Sequence, residues 1–345
     1  MMLRPHICSL SRFYLPRKAV KNKIPLLSHV DLAALGPGCL DFRTRRARPI
    51  MGSVLGLIMC PFSIRSASEF SADHQLRGLS RAIVVRVRAR LWRYQDEIAL
   101  SNQTWQNDRQ AARALAALQA QPELAPGVAI VGDLLTALRE SCAAARLLQS
   151  GLSLQFDRDQ PIEVPSLAGG GTVMLEPRKF SIAFSISESQ VLGANADLLV
   201  ADLLARVATR TLDEALFGAA PNGLRAGVAP CGGTAGPDAR AAMTEDLARL
   251  ADTIACEPVF VMHPAKTTKL SLLTPAPLDS VVTSAAIAKN DIIAIATDAL
   301  ACATSNVPTV DVALGSETIR IELGFDCSWT LRDPHAIAWL SASGW

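Results

Sequence analysis

Aromatic side chains are scarce in this sequence. Phe, Tyr and Trp together make up 5% of the 345 residues, whereas hydrophobic residues reach 50% and charged residues 19%. A chain of this composition folds around a core, and Ala, Leu and Val must fill most of that core. The scarcity of flat rings argues against a protein built around aromatic stacking on nucleic-acid bases. The length is enough for one large domain or two ordinary ones.

Clustered metal or redox ligands are also lacking. The eight cysteines are scattered singly, no CxxC pair occurs, and only five histidines accompany them. A disulfide framework belongs to short secreted chains and a zinc site needs clustered ligands, so neither is predicted. We expect no metal, no cofactor, and reduced cysteines that act as small core residues in a cytoplasm. No apolar run approaches the roughly 18 residues that a membrane-spanning helix needs.

Charge is unevenly distributed along the chain. Residues 1–50 carry ten Lys or Arg against two Asp, a balance of +8, and the whole chain carries +2, so residues 51–345 carry about −6. A body of that sign gives no support for a dedicated DNA-reading surface, although a local basic strip is compatible with it. Prolines interrupt residues 1–65, and Met51 is an available internal start. Residues 1–65 are therefore predicted to be a disordered or artefactual leader.

Helical patterns occupy the next part of the chain. Residues 71–119 mix polar and apolar side chains in a way that predicts a solvated helix with charge on one face. A second helix is predicted over 131–148, where leucines and alanines supply an apolar side. The first of these segments contains a basic run at Arg86, Arg88, Arg90 and Arg93.

A two-residue alternation begins after Gly151, as expected for half-buried strands. It runs over 152–156 and 162–164, breaks at the three glycines of 169–171, and returns most clearly over 180–187. Together these segments predict an extended β-hairpin arm that turns near the glycines.

The strongest helix signal follows the arm. Asn195 can cap this helix, and Gly218 and Pro221 can end it. At about 1.5 Å per residue the helix is on the order of 33 Å long, which is the length of a spine for the fold. Its predicted apolar stripe, at steps of three and four residues, consists of Leu199, Leu203, Val207, Ala208, Leu212, Ala215 and Leu216.

The remainder mixes short helices and strands. A helix over 244–254 leads to a buried strand over 258–262, and a strand or helix is predicted over 291–301. An alternating segment over 318–325 and a last short segment over 336–340, which contains Trp339, close the chain. This mixed order predicts an α+β fold with antiparallel sheets.

Catalytic motifs are not recognisable. The glycines at 169–171 lack the Gly-Lys-Ser/Thr ending of a phosphate loop and lie between two strands. His263 follows a buried-type strand, where enzymes often place catalytic residues, and Cys231 or Cys256 is a conceivable nucleophile beside it. The spacing favours a capped helix start and two core thiols instead, so we predict a protein that is not an enzyme.

Three stretches of the chain, taken in order, carry a resemblance to a known family. They are LEPRKFSIAFSISESQVL (Leu175 to Leu192), LLARVATRTLDEALFGAAPNGLRAGV (Leu203 to Val228) and SWTLRDPHAIAWL (Ser328 to Leu340). Together with the order of a helical region, a β-hairpin arm, a spine helix, a mixed α/β domain and closing antiparallel strands, they resemble the major capsid proteins of tailed bacteriophages, the Hong Kong 97-type fold. The resemblance covers roughly residues 130–345, and its motifs are of moderate specificity.

The resemblance implies a division of the chain. Residues 66–150 would be a helical N-terminal region, and 151–190 the extended β-hairpin arm that reaches over a neighbouring subunit. Residues 191–220 would be the spine helix of the peripheral domain, and 221–307 the axial domain. Residues 308–345 would supply the return strands of the peripheral domain.

The resemblance also implies a structural role. The chain would self-assemble as pentamers and hexamers into an icosahedral shell around phage DNA, in the virion and, during assembly, in the host bacterial cytoplasm. The implied partners are further copies of the chain, portal and scaffold or protease proteins, and packaged DNA held non-specifically, with no membrane involved. The arm between Val164 and Val173 is shorter than in the family, which fits a degenerate prophage copy or a divergent member.

Four charged residues of the arm are the predicted intersubunit contacts: Arg158, Glu163, Arg178 and Lys179. Each exposed pair would contribute about 0–1 kcal/mol, and the same side chains would also serve simply to keep the arm soluble. Two other functions stay open. One is an encapsulin-like nanocompartment with the same fold around a cargo enzyme, and the other is a cytoplasmic α/β hydrolase or transferase that uses His263 and a nearby cysteine.

Overall fold

The computed structural model describes residues 67–106, 108–119, 129–157, 160–218, 222–234, 236–254, 256–274 and 280–345, with side chains from Leu76 onward. The predicted leader, residues 1–65, lies outside the described residues. Within them, helices lead the chain and strands form two five-stranded sheets and one two-stranded sheet. The architecture is α+β, as predicted.

Nine helices can be traced in the described residues. The first five precede the first strand and form the helical N-terminal region. Their bounds are α1 (Ala67–Trp92), α2 (Glu97–Thr104), α3 (Arg109–Gln119), α4 (Ile130–Leu138), α5 (Ala143–Ser150), α6 (Glu188–Leu192), α7 (Ala196–Phe217), α8 (Ala239–Thr253) and α9 (Pro264–Leu273).

The described strands number twelve, and a 3₁₀ turn at Thr297–Ala299 precedes the ninth. Their bounds are β1 (Leu152–Gln155), β2 (Ile162–Pro165), β3 (Thr172–Leu175), β4 (Lys179–Ser187), β5 (Cys231–Gly232), β6 (Val259–Met262), β7 (Val281–Thr283), β8 (Ile292–Ile295), β9 (Leu300–Thr304), β10 (Thr309–Leu314), β11 (Thr318–Leu331) and β12 (Ile337–Ser341).

Helix α1 is buried, which corrects the predicted solvated helix. Ile83, Val84, Val85 and Val87 are fully buried, because α1 packs against α3, α4 and α7. The sequence predicts a solvated helix because arginines lie on either side of these apolar residues. One of those arginines, Arg88, is itself buried.

The predicted second helix over 131–148 is two helices. The backbone N–H of Cys142 donates to the Leu138 carbonyl at the end of α4. The Cys142 sulfur then accepts a hydrogen bond from the Ala145 N–H and caps the start of α5. Because a cysteine sulfur is a weak hydrogen-bond acceptor, the sequence does not predict the break between α4 and α5.

Strand β11 is the centre of the first sheet. Its first part lies between β10 and β4, both antiparallel to it, and its last part pairs with β9. Strand β9 in turn pairs in parallel with β1. At 14 residues, β11 is long enough to pair with β10 and β4 along its first part and with β9 along its last part.

The second sheet has the order β5-β12-β8-β6-β7. Strand β12 belongs here and not to the first sheet, although it falls in the range 308–345 predicted for the return strands of the peripheral domain. Strand β9 belongs to the first sheet, although it falls in the range 221–307 predicted for the axial domain. The two sheets therefore exchange strands across the predicted boundary.

The predicted arm over 151–190 is also narrower in the structure. Only β2 and β3 form a two-stranded hairpin, and it turns at the glycines of 169–171. Strand β4, which has the cleanest alternation, pairs with β11 over nine residues, and β1 pairs with β9. The alternation predicts these strands correctly, but the partners of β1 and β4 lie more than 100 residues away.

Helix α7 occupies the predicted spine position, with 22 residues. It packs against α1 and α5 on one side and against β4 on the other. Leu199 of the predicted stripe is exposed, and Asn195 stands at the cap position without a side-chain hydrogen bond. The buried apolar row instead repeats every four residues: Ala196, Val200, Leu204, Ala208, Leu212 and Leu216. Across the described part of the chain, no helix is long and apolar enough to cross a membrane.

Candidate self-association surfaces

The β2–β3 hairpin rests on the first sheet through its inner face. Val164 and Leu175 pack with Phe156 against two alanines of β9, Ala301 and Ala303. Small residues at these positions let the hairpin approach the sheet closely. The base of the hairpin is therefore part of the folded subunit.

Arg332 fixes the hairpin at its far end. Its Nε donates to the Pro165 carbonyl over 2.9 Å, and its own carbonyl accepts from the Leu167 N–H at 2.8 Å and the Ser166 hydroxyl at 3.0 Å. The turn beyond contains three glycines, all with φ between 90° and 117°, a backbone region that favours glycine. A Cβ at any of these glycines would meet no other atom within 4 Å, so the tip is open.

The outer face of the hairpin is exposed, apolar and acidic. Leu167 and Met174 are 49% and 45% exposed, and Glu163 lies directly opposite Met174 in the β2–β3 register. Glu176 follows β3 and is also exposed. Neither glutamate forms an ion pair with a described residue. These four residues are called the acidic hairpin face below.

The predicted intersubunit contacts have different environments. Arg158 lies outside the described residues, and Glu163 is exposed on the acidic hairpin face. Arg178 donates to the Asn222 side-chain oxygen at 2.6 Å, and the Lys179 ammonium lies 3.0 Å from an Asp326 carboxylate oxygen. Arg178 and Lys179 therefore each have a polar partner within their own chain.

A second exposed surface lies at the end of α1. Trp92 is 52% exposed and Tyr94 is 42% exposed, and the arginines at 90 and 93 are exposed as well. The Tyr94 N–H donates to the Ala89 carbonyl over 2.8 Å, and this bond fixes the turn. We call Arg90, Trp92, Arg93 and Tyr94 the aromatic–basic turn.

The basic run seen in the sequence divides into separate roles. Arg88 is buried and donates to the carbonyls of Val191 and Gly193, each over 3.0 Å. Arg86 pairs with Glu97 at 3.4 Å. Within this run of four arginines, Arg90 and Arg93 are exposed and form no ion pair with any described residue.

An arginine cluster joins α1 to the start of α7. The Asp197 carboxylate accepts from Arg81 at 2.9 Å and from Arg77 at 3.2 Å. Burial raises the pKa of Asp197, but the hydrogen bonds from these two arginines outweigh it and hold the pKa below its ordinary value. Arg81 also pairs with Asp108, and its guanidinium lies over the ring of Trp105. The cluster stabilises the fold and leaves no free group for chemistry.

A buried carboxylate on the spine helix joins three elements. Asp213 accepts from the Ala144 N–H at 2.8 Å, from the Ser284 hydroxyl at 2.6 Å and from the Cys142 thiol at 3.3 Å. Burial raises the pKa of Asp213 above its ordinary value, although these hydrogen bonds oppose the shift. An aspartate within a helical pattern gives no sequence signal of burial, because its burial depends on donors from distant elements.

The structure does not bring His263 and Cys231 together. His263 accepts from the Ala265 N–H through Nδ1 and caps α9. Cys231, Leu340, Ile292 and Met262 lie in one row across the second sheet. Cys231 is therefore three inter-strand spacings from Met262, roughly 14 Å, and His263 follows Met262 directly. The predicted helix cap at His263 is confirmed.

The thiols of the other described cysteines, three buried and one exposed, have raised pKa values. Burial first, and the Asp213 carboxylate second, raise the pKa of the Cys142 thiol. Burial also raises the pKa of Cys302 and of Cys327, and the Asp298 carboxylate raises that of exposed Cys256. A raised pKa disfavours the thiolate, which is the nucleophilic form. Nor do the described residues contain a group of three or more His, Cys, Asp or Glu able to hold a metal ion.

A buried lysine lies in the second sheet's core. Lys266 is 2% exposed, and its ammonium donates to the Ser343 and Trp345 carbonyls at 3.0 and 2.8 Å and lies over the Trp345 ring. Burial lowers its pKa to about 8. The Trp345 indole N–H donates to Asp246, which also accepts from the Ser343 hydroxyl. These groups satisfy one another and close the C-terminal segment onto α8 and α9.

Comparison with known proteins gives likeness in structure alone. No protein-family model and no curated protein matches the sequence. The chain is similar to a virus-like particle from Pyrococcus furiosus, with a TM-score of 0.44 and 11% identity, over 59% of this chain and 94% of that chain. It is similar to the holo-SrpI encapsulin complex from Synechococcus elongatus PCC 7942, with a TM-score of 0.42 and 14% identity, over 58% and 86% of the two chains. The capsid of an empty GTA particle gives a TM-score of 0.44 and 12% identity, over 58% and 90%.

Proposed function

We propose that this chain is a non-catalytic subunit that self-assembles into a closed shell. The observation that carries the proposal is the β2–β3 hairpin, which is anchored on one face and leaves Leu167 and Met174 exposed on the other. A soluble subunit gains nothing from exposed apolar side chains on a supported hairpin, whereas a subunit with neighbours buries them. Self-complementary surfaces of this kind close by symmetry.

The arrangement of polar groups supports a role in binding over one in bond-making. The buried carboxylates of Asp197, Asp213 and Asp246 are engaged by donors from other elements. His263 is engaged as a helix cap. The hydroxyl of Ser284 and the thiol of Cys142 that donate to Asp213 are buried with it. This base and its donors are therefore closed to a substrate, whereas nucleophilic catalysis needs an accessible pair.

The finer proposal is a Hong Kong 97-type major capsid protein of a tailed phage. It is supported by the three sequence stretches that resemble that family, together with the order of hairpin, spine helix and interlaced sheets. Portal, scaffold or protease partners, packaged DNA and a place in the virion belong to this finer proposal. Shells that contain a protein cargo and no DNA would replace it with the nanocompartment function.

Electron microscopy of the purified full chain tests the proposal. Closed particles of uniform diameter are expected, with a mass by light scattering that is a large multiple of the 36.7 kDa subunit. Nuclease treatment and extraction of the particles would then identify DNA or protein inside. A folded chain that stays monomeric at every concentration and ionic strength contradicts a shell-forming function.

A further inference from the structure

We infer that the acidic hairpin face of one copy docks on the aromatic–basic turn of a neighbouring copy. The inference rests on the proposed shell function and names a pair of surfaces that would meet within the shell. Four features carry it: exposed aromatic rings, unpaired arginines, unpaired glutamates and a strained backbone in the turn.

The aromatic–basic turn has the composition of a binding hot spot. Trp, Tyr and Arg are the residues enriched where protein interfaces gain most of their affinity. In a chain with 5% aromatic residues, Trp92 and Tyr94 are both exposed within a single turn. Ile98, at the start of α2, adds a further exposed apolar side chain nearby in sequence.

The backbone conformation of the turn also supports a binding role. Arg93 has φ of 53°, in the left-handed region where glycine is the usual residue after a helix. An arginine there is less favourable for folding than a glycine would be. The helix end thus keeps a long cation beside two exposed rings at a conformational cost, which makes sense when the cation contacts a partner.

The acidic hairpin face is complementary in charge and in apolar character. Glu163 and Glu176 flank Met174, and neither forms an ion pair with a described residue of its own chain. Arg90 and Arg93 flank Trp92 in the same way. A thioether packs favourably against an aromatic ring, so Met174 suits Trp92 or Tyr94 while the glutamates face the arginines.

Charge favours a second copy over a nucleic acid at this turn. Glu163 and Glu176 supply carboxylates to a neighbour, whereas the whole chain has a net charge of only +2, which gives a polyanion little general attraction. Two free arginines would neutralise only about two phosphates, too few for strong binding.

Charge reversal with rescue tests the inference in the full chain. Arg90→Glu/Arg93→Glu and Glu163→Arg/Glu176→Arg are each expected to lower the yield of closed particles at least tenfold. The four substitutions combined are expected to restore the yield, since the pairs are reversed together. Arg240→Glu/Lys269→Glu makes the same change in net charge at exposed positions elsewhere and should assemble like the wild type.

Each outcome bears on a different claim. Wild-type assembly by the turn variant, or no rescue by the combined variant although circular dichroism shows it folded, overturns the inference and leaves the shell function standing. Loss of binding to a single-stranded oligonucleotide in the turn variant, with assembly unchanged, also overturns it and assigns the turn to nucleic acid. A wild-type chain that never assembles overturns both.

Discussion

At the residue scale, single buried polar groups hold the elements together. One oxygen of Asp213 reaches the start of α5, and the other reaches Ser284 beyond β7, so the spine helix fixes the position of both. Asp246 and Lys266 do the same for the C-terminal segment. Such groups contribute through the donors they satisfy, because a buried donor without an acceptor is costly.

Asp213→Ala is expected to lower the free energy of unfolding by about 2–4 kcal/mol, because it leaves three buried donors without an acceptor. Asp202→Ala is the matched control on the same helix, where the carboxylate is exposed and pairs with Arg206. That change is expected to cost at most about 0.5 kcal/mol. Urea denaturation followed by circular dichroism measures both, and equal losses would contradict the role of Asp213.

Burial of Lys266 predicts that the stability of the fold depends on pH. Its folded pKa is about 8, below the ordinary value of 10.5, so between these pH values the unfolded state holds the proton more tightly than the folded state does. Stability should therefore rise as pH increases from about 8 to 10.5. The thermal midpoint of the wild type, measured relative to Lys266→Met, is expected to rise across this window. Parallel thermal midpoints of the wild type and Lys266→Met across this window would contradict the prediction.

These residue roles were the least predictable part of the molecule. Lys266 and Lys269 lie three positions apart in one polar helix, and nothing in that spacing tells which is buried. The same holds for Asp213 beside Glu214. Burial of a charge depends on donors and carbonyls supplied by distant elements, so a local pattern cannot report it.

At the element scale, alternation identified strands but not their partners. The faces of β4 follow its period of two, with Ile182, Phe184 and Ile186 buried. Its pairing with β11 depends on residues 318–326, and a hairpin with a nearer strand has the same local pattern. For α7 the existence of the helix was predictable. The row of residues that it buries differs from the predicted stripe, because leucines at 198, 199, 203 and 204 are compatible with two different apolar faces.

The two faces of β3 allow the roles of the hairpin to be separated. Leu175 is fully buried, and Met174 beside it points outward. Leu175→Ala is expected to lower the free energy of unfolding by about 2–4 kcal/mol through the lost packing. Met174→Ala should leave that free energy within about 0.5 kcal/mol but lower the yield of particles.

Chemical denaturation and particle counts by electron microscopy measure the two effects on each variant. The hairpin would lose its proposed role if Met174→Ala assembled as efficiently as the wild type. Leu175→Ala serves as the comparison, since it changes the neighbouring residue and removes side-chain volume from the inner face only.

At the scale of the whole molecule, the order of elements was predictable and the exchange of strands was not. The helical region, hairpin, spine helix and mixed sheets appear in the expected sequence. However, β9 enters the first sheet and β12 the second, so neither sheet is a continuous stretch of chain. Strand exchange is a property of pairing between distant residues, and a single sequence carries no record of it.

The C-terminal segment is therefore expected to be essential for the second sheet. Deletion of residues 335–345 removes β12 from between β5 and β8 and leaves Asp246 and Lys266 without their main partners. The expected result is aggregated protein, as judged by the soluble fraction after expression.

Trp345→Phe is the milder variant, since it replaces the indole with a smaller aromatic ring and removes the one hydrogen bond to Asp246. It should stay soluble with a loss of about 0.5–1.5 kcal/mol. A soluble deletion variant with wild-type circular dichroism would show that the second sheet forms without β12.

Strand β11 also has a mechanical consequence. It runs antiparallel to β10, β4 and β9, and the β2–β3 hairpin lies in the chain between β1 and β4. A pull on the hairpin along these strands would load the β4–β11 and β1–β9 ladders in shear, where many hydrogen bonds share the force at once. A pull across them would instead open the ladders one bond at a time. The subunit should thus resist stretching along the strands far better than across them. In the proposed shell, this direction of high resistance would be the one that bears tension when the interior is under pressure.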